Sequence, residues 1–452
     1  MSSLSDSGYR GIIPPLSRRA WRLLFGNTLS QIGTGMTFPF LMIFLHEARH
    51  INLSTAGLVL ATSSAAGLLT IPLAGRLVDR FGTGPTVVSW LLVSAVGSGS
   101  FFVVHSAAGA FFAAFVFGTG TAGMWNSISA MFAEVVPADQ RSAIFGVSYA
   151  LQNLGLGLGA AGAGMFVAAR PNANLPILFL IDAASYLVFG LVLVLSGEVR
   201  LGKRRRTEDP GPVYASAVTG DREAGHADGH AANRANRRTT RRATGYREVL
   251  SDRRLIGITV LNTLLASVLV TELNVAFPIW AVDTVRVPAY VVGFAFLGNT
   301  SIIIVGQLLV LHFLLRGRRR TRAAAFAASV FGAACLLTFL SAEVPGGMLR
   351  ESTLVASLTL FGFGETLLAP SLAPLINDIA PELRRGRYNA VFNASWQVGP
   401  LIGPVLAGLA LGHQLGGVLF ASLAAVSAMA VMLALRLERV VPEEMNRGGL
   451  SG

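Results

Sequence analysis

Three carboxylic acids stand inside long apolar stretches of this 452-residue chain. Asp182 lies in LFLIDAASYL, Glu272 in SVLVTELNVAFPIW and Glu365 in LFGFGETLLAP. An ionisable side chain at membrane depth is costly, so it normally faces a cavity or a partner. Because no Lys or Arg stands at comparable depth, we expect these carboxyls to be protonated part of the time. A carboxyl that takes up and releases a proton is the minimum equipment for proton coupling, and we predict this role for all three.

The elements that carry these acids are apolar helices. Only 13% of residues are charged, whereas a soluble domain has about a quarter. A membrane span needs roughly 20 mainly apolar residues, and a helix satisfies its own backbone groups in lipid. We therefore predict an all-α integral membrane protein with twelve transmembrane helices in two six-helix bundles. The predicted spans are 21–45, 54–77, 84–104, 108–133, 142–168, 174–196, 255–281, 289–314, 323–342, 353–375, 388–411 and 416–436.

A polar segment separates the two sets of six spans. It is rich in Arg, Gly, Asp, His and Asn and has almost no apolar periodicity, which is typical of a disordered linker. The alternative for residues 246–254, at the end of this segment, is a short amphipathic helix. The predicted divisions are a cytoplasmic tail at 1–20, the N-terminal bundle at 21–197, the cytoplasmic linker at 198–253, the C-terminal bundle at 254–436 and a cytoplasmic tail at 437–452.

The basic residues are distributed unevenly across these spans. If the N-terminus is cytoplasmic and the spans alternate, the outer connections hold four Arg and every other Lys and Arg falls inside. This positive-inside pattern, with Arg preferred over Lys, predicts a multi-pass protein of a bacterial plasma membrane with both termini cytoplasmic. It also explains the net charge of +12 through contact with anionic lipid, without nucleic acid. The single cysteine, Cys335, excludes an intrachain disulfide and a cysteine metal cluster.

The second half of the chain looks like a copy of the first. Pro137 and Arg141 recur with the same spacing as Pro381 and Arg385, and Asn-Thr-Leu occurs at 27–29 and again at 262–264. Two repeats of six spans with parallel orientation are typical of transporters whose halves are related by an axis along the membrane normal.

The stretch GRLVDRFG places an Asp and two Arg between the second and third apolar runs. It resembles the G-x-x-x-D-R-x-G loop of the major facilitator superfamily, and the twelve-span layout with a long central segment extends this resemblance over the whole chain. The basic pair that follows the motif in the family is absent, because Thr83 and Gly84 stand there. The matching positions, which we predict to form a gating loop, are Gly75, Asp79, Arg80 and Gly82.

The resemblance implies a role for the charged residues of this loop. Asp79 would face the N-terminus of span eleven, where the helix dipole favours an anion, and Arg80 would pair with Asp139 or Glu134. Such contacts would hold the two bundles together on the cytoplasmic side while the protein is open outward. The alternative is that both residues only anchor the loop and set the topology.

The resemblance also implies which spans line a central cavity: one, four, seven and ten. Glu272 and Glu365 stand on such spans, whereas Asp182 stands on span six, which is mainly a support. The alternative for Asp182 is that its carboxyl only satisfies a backbone group or Ser185. Polar and aromatic residues of the inner spans are predicted to line the cavity, with hydrogen bonding between helices as the alternative for each of them. They are Asn27, Gln31, Trp125, Asn126, Gln152, Asn262, Trp396 and Gln397.

Two glycine tracts, GLGLGAAGAG in span five and GPLIGPVLAG in span eleven, place small residues four apart. This spacing lets helices approach closely. The second tract is similar to the glycine–proline motif that drug antiporters of the superfamily carry in span five, although here the prolines are in span eleven. Plain packing and a bendable interface both fit. The predicted packing residues are Gly155, Gly159, Gly399, Pro400, Gly403 and Pro404.

These patterns favour a secondary active transporter that exports small amphiphilic organic molecules in exchange for protons. A carrier of phosphate or organic anions would need a buried Arg or Lys. An uptake symporter of the same fold is the alternative, and a membrane sensor or scaffold acting through residues 198–253 is less favoured. No nucleotide loop, metal-ligand cluster or nucleophile–His–acid set is visible, so we predict neither an enzyme nor a cofactor or metal. We expect a monomer.

Overall fold

The computed structural model describes residues 16–137, 140–198, 246–309, 319–381 and 384–447. Helices make up almost all of this part of the chain, which confirms the all-α membrane fold. Eleven of them are long and apolar enough to cross a membrane, and a bent helix pair at the start of the chain makes a twelfth span. The spans are Arg18–Thr37 with Leu41–Ala48, Leu53–Phe81, Thr83–Phe102, Ala107–Val135, Arg141–Ala169, Pro171–Leu195, Arg253–Thr284, Ala289–Leu309, Arg320–Leu340, Met348–Ile379, Arg385–Gly412 and Gly416–Leu437.

The two sets of six helices repeat one packing pattern. Spans one and five, one and six, two and four, three and four, and three and six pack together in the first set. Spans seven and eleven, seven and twelve, eight and ten, nine and ten, and nine and twelve do so in the second. We refer to these sets as the N bundle and the C bundle. Spans two and eleven, and spans five and eight, join the bundles.

Local sequence signals explain where several spans begin and bend. The side chains of Ser17, Asn52 and Ser106 accept hydrogen bonds from backbone N–H groups in the first turns of spans one, two and four. Span one bends by 41° between Thr37 and Leu41, next to Pro39, which has no backbone N–H to donate. Residues 310–314 of the predicted eighth span and residues 199–245 of the predicted linker lie outside the described residues. At 246–254 a short helix, Tyr246–Val249, precedes span seven.

Glycines bring the two bundles into contact near one end of the molecule. A Cβ atom at Gly57 or at Gly408 would collide with backbone atoms of the opposite bundle, in Pro404 and Leu53 respectively. A Cβ atom at Gly164 would lie 2.8 Å from the carbonyl oxygen of Ala289 in span eight. These contacts lie near the connections between spans one and two and between spans seven and eight. We call this end the closed end.

Candidate functional site

A pocket lies between the bundles below the closed end, with about 140 Å³ of free space. Most of its wall belongs to the N bundle, and Asn274, Pro400 and Pro404 complete it from the C bundle. Every side chain of the wall is uncharged, and four are Phe rings. The remaining lining residues are Thr34, Thr37, Phe38, Leu41, Leu60, Ser63, Ser64, Ser98, Phe101, Ala114, Phe117 and Phe179.

Asp182 lies directly behind this wall. Its side chain is fully buried. Ser98 donates a hydrogen bond of 2.7 Å to Oδ2, and the hydroxyl of Thr37 lies 3.5 Å from the same oxygen. Oδ1 is buried and has no hydrogen-bond partner among the described residues. Because Ser98 and Thr37 both line the pocket, a change in the charge of Asp182 would reorient hydroxyls in its wall.

Glu272 points in the opposite direction, into the C bundle. It begins a π-helical turn, Glu272–Ala276, that interrupts span seven. The hydroxyl of Thr338 in span nine donates to Oε1 at 2.9 Å, and Cys335 Sγ lies 3.6 Å from Oε2. The same turn presents Asn274 to the pocket. Glu272 therefore sits one layer behind the pocket, fully buried, and the wide π turn connects it to the wall.

Glu365 is half-buried in span ten. Asn299 of span eight donates a hydrogen bond of 2.9 Å to its Oε1 and lies 3.3 Å from the carbonyl oxygen of Leu358. This amide holds the carboxyl at the junction of two C-bundle spans. Of the three acids, Asp182 is thus the one that touches the pocket wall through hydrogen bonds.

The polar residues predicted for the cavity are spread over several environments, and none of them lines this pocket. Asn262 donates to Ser395 at 2.6 Å and joins spans seven and eleven, while Gln152 donates to Ser148 and Asn126 to the carbonyl oxygen of Ala122 in their own helices. The others differ mainly in exposure: Asn27 and Gln31 are buried, Gln397 is half-buried, and Trp125 and Trp396 are exposed.

The predicted packing glycines sit at helix crossings inside each bundle. A Cβ atom at Gly155 would lie 2.9 Å from the carbonyl oxygen of Thr28, and one at Gly159 would collide with that of Ile32, both in span one. A Cβ atom at Gly399 would lie 2.9 Å from Ala266, and one at Gly403 would collide with Thr271, both in span seven. Pro400 and Pro404, on the same helix, line the pocket instead.

The GRLVDRFG stretch is almost entirely helical. Gly75, Asp79 and Arg80 belong to the last turns of span two, so the prediction of a loop there is wrong. Gly82 alone separates spans two and three, with a φ of 85° that favours glycine. A one-residue connection suffices because the helices turn back directly at this left-handed residue. The Arg80 guanidinium lies 5.1 Å from the centre of the Phe81 ring. The pairing of Arg80 with Glu134 stays a prediction; Glu134 accepts a hydrogen bond of 2.7 Å from Thr83, and Asp139 lies outside the described residues.

The family model described as Major Facilitator Superfamily matches residues 23–349 and 273–450 of this chain. The chain belongs to this superfamily. The resemblance predicted from GRLVDRFG is thereby confirmed.

Several curated members of the superfamily are similar to part of the chain. The uncharacterized MFS-type transporter YqjV of Bacillus subtilis is 29% identical, over 40% of this chain and 43% of its own length. Multidrug resistance protein 2 of Bacillus subtilis is 26% identical, over 41% and 45% respectively. The quinolone resistance protein NorA of Staphylococcus aureus is 24% identical, over 40% and 45%. The chain thus spans less than half the length of the curated relatives it matches.

Solved structures of other proteins share the fold over nearly the whole chain. A peptide transporter POT in complex with sulfate superposes with a TM-score of 0.69 at 15% identity, covering 96% of this chain and 97% of the other. A POT family transporter in complex with 5-aminolevulinic acid has a TM-score of 0.68 at 14% identity, covering 96% and 99%.

The superfamily fold brings together residues that the sequence did not single out. Thr34, Thr37, Ser63, Ser64 and Ser98 form the hydroxyl-bearing part of the pocket wall. Hydroxyl residues are common throughout these spans, and many simply donate to a carbonyl one turn back, as Thr70 and Ser94 do. Their types and spacing therefore carried no signal that could have separated them from packing residues.

Proposed function

We propose that this transporter exports small amphiphilic or weakly cationic organic molecules in exchange for protons, by alternating access of the pocket to the two sides of the membrane. The observation that carries the proposal is the position of Asp182 behind an uncharged, aromatic wall, within hydrogen-bonding distance of Ser98. Phe faces attract organic cations, and a nearby carboxylate strengthens that attraction when it is ionised.

Competition between proton and substrate follows from this arrangement. When Asp182 is ionised, Ser98 donates to it and the wall is electronegative, which favours a cationic substrate. When a proton binds the carboxyl, the negative charge disappears and the substrate is released. Glu365 and Glu272 are further candidates for proton binding, and Glu272 acts through the π turn that carries Asn274.

The pocket is small for such substrates. Pockets that bind drug-sized ligands have volumes of roughly 300–1,000 Å³, so the bundles must separate before such a ligand can enter. The protein lies in the bacterial plasma membrane with both termini and the basic connections in the cytoplasm. In this orientation the closed end faces outward, and the pocket loads from the cytoplasm or the inner leaflet. In the outward-open state, Asp79 and Arg80 would hold the opposite end together. The similarity to drug-resistance proteins, partial as it is, agrees with export.

The test is transport by cells that lack their main exporters. Cells expressing the chain are loaded with fluorescent lipophilic cations, and accumulation is followed with and without an uncoupler. We expect lower accumulation that the uncoupler abolishes. Asp182→Asn should abolish this proton-driven extrusion while leaving passive exchange of the dye, and Asp182→Glu should restore part of it.

Glu351→Gln is the matched control, because Glu351 accepts hydrogen bonds from Tyr290 and neither residue is part of the pocket wall. Extrusion by Asp182→Asn at the wild-type level, still sensitive to the uncoupler, would contradict the role of Asp182. Uncoupler-sensitive accumulation in place of extrusion would instead favour uptake symport.

A further inference from the structure

Two π-helical turns from opposite bundles bring one histidine and two carboxylates together at the closed end. His46 and Glu47 lie in the turn Phe44–Ala48 of the N bundle, and Asp283 lies in the turn Trp280–Thr284 of the C bundle. One possible ligand atom from each side chain lies within 4.8 Å of the others. Among ion pairs between described residues, His46–Asp283 joins the two bundles, with Nε2 and Oδ2 3.5 Å apart.

The hydrogen bonding of His46 determines what its free nitrogen can do. Nδ1 lies 3.1 Å from the carbonyl oxygen of Ile51, which can only accept, so Nδ1 carries a proton and donates it. In a neutral imidazole, Nε2 then presents a lone pair to the Asp283 carboxylate. Oδ1 of Asp283 is buried and has no hydrogen-bond partner among the described residues. Acceptors thus face acceptors, and a cation between them would resolve the repulsion.

The distance between His46 and Asp283 favours a metal ion over a proton as that cation. A hydrogen bond from nitrogen to oxygen spans roughly 2.7–3.2 Å, which is shorter than the observed 3.5 Å. Ligands about 2.1 Å from a tetrahedral metal ion lie about 3.4 Å from each other. A backbone carbonyl that fixes the tautomer through Nδ1 is also the usual outer partner of a metal-binding histidine. We propose that His46, Glu47 and Asp283 bind a divalent transition-metal ion, with Zn²⁺ fitting this donor set, and that the bound ion holds the closed end shut.

Neither bundle contains the whole site. His46 and Glu47 move with span one, and Asp283 moves with span seven, so separation of the bundles at this end divides the ligands. The ion therefore binds this conformation more tightly than one open at the same end, and it shifts the equilibrium by that difference in affinity. The neighbouring cation, Arg49, is directed at the carbonyl oxygen of Phe102 and at the Phe44 ring. The metal site does not depend on the identity of the transported substrate.

Calorimetric titration of the purified full chain in detergent with Zn²⁺ tests the proposal. We expect one ion per chain. His46→Gln in the N bundle and Asp283→Asn in the C bundle should each weaken Zn²⁺ binding at least about tenfold. Loss of a residue that only supports a metal ligand already weakens metal binding about tenfold, and loss of a ligand itself should cost no less. His105→Gln is the matched control and should bind like the wild type, because His105 has its Nδ1 2.8 Å from the carbonyl oxygen of Val103 but is not part of the cluster.

A second measurement covers variants that fold poorly. Zn²⁺ should raise the unfolding temperature of the wild type and of His105→Gln in a saturable way, and it should not do so for Glu47→Gln. Equal binding by wild type and His46→Gln would overturn the proposal. The proposal would also be overturned if the wild type showed no saturable Zn²⁺ binding and its unfolding temperature rose at low pH. A proton would then occupy the position between His46 and Asp283.

Discussion

Gly162 and Gly164 lie two residues apart in span five, yet a methyl group would meet very different surroundings at the two positions. At Gly164 it would lie 2.8 Å from the carbonyl oxygen of Ala289 and 3.0 Å from Cα of Tyr290, both in the opposite bundle. At Gly162 it would meet no atom within 4 Å. We therefore predict that Gly164→Ala opens the closed end and that Gly162→Ala does not.

The size of the effect follows from what the new methyl group contacts. Backbone atoms cannot rotate away as a side chain can, and overpacking of this kind costs ~1–3 kcal/mol. Separation of the bundles removes the clash, so the cost falls on the closed form. A free-energy difference of this size changes the equilibrium by about 5–150-fold toward the form open at this end. Gly162→Ala favours the helix by roughly 0.5–1 kcal/mol in both forms and leaves the equilibrium unchanged.

Thiol labelling measures this equilibrium. Ser63→Cys places a reporter in the pocket wall, and a membrane-impermeant maleimide is added from the side of the closed end. Cys335 is fully buried and is retained in every variant. While the open form is minor, the labelling rate follows its population, so Gly164→Ala should label at least about fivefold faster than Gly162→Ala. Equal rates in two correctly inserted proteins would refute the idea that this contact keeps the end closed.

Two further predictions concern the C bundle. Thr338→Val removes the hydroxyl that donates to Glu272 and should lower the free energy of unfolding by ~1–3 kcal/mol, which a lower unfolding temperature in detergent would show. The control is Thr359→Val, because the Thr359 hydroxyl donates within its own helix. The hydrogen bond from Arg322 lowers the pKa of Glu438, so this contact stabilises the fold above the free carboxyl pKa of about 4.3 and is lost as pH falls through the lower folded value. Glu438→Gln should flatten the acid side of a plot of unfolding temperature against pH; an unchanged slope would contradict this.

The Arg–Glu cluster behind the last prediction joins span nine to the end of the chain. Arg319 and Arg322 contact Glu438, and Arg319 also reaches Glu443 at 3.0 Å. The hydrogen bond from Arg319 lowers the pKa of Glu443 as well. These contacts follow the last span at the end of the molecule opposite the closed one, where the basic residues concentrate.

The sequence by itself determined the membrane class, the spans and the repeat. Hydropathy is a sum over about 20 neighbouring residues, so it needs no knowledge of what a helix packs against. The same holds for Gly82, whose turn is local, and for the GRLVDRFG resemblance to the superfamily. The prediction of a loop failed for the part of GRLVDRFG that continues span two as helix. Gly82 alone, with its positive φ, was enough for the turn, so the residues before it could extend the helix.

Only the tertiary structure decided which side chains meet. The position of Asp182 behind the pocket depends on how spans one, three and six are rotated against each other, and no pattern in a single span records that rotation. The cluster of His46, Glu47 and Asp283 depends on more still, because Asp283 is more than 200 residues from the other two and the two bundles must close for them to meet. Contacts between side chains of distant segments are set by the packing of whole helices. A site whose ligands come from two moving bundles exists only in one conformation, so it can be identified only when the packing of the bundles in that conformation is known.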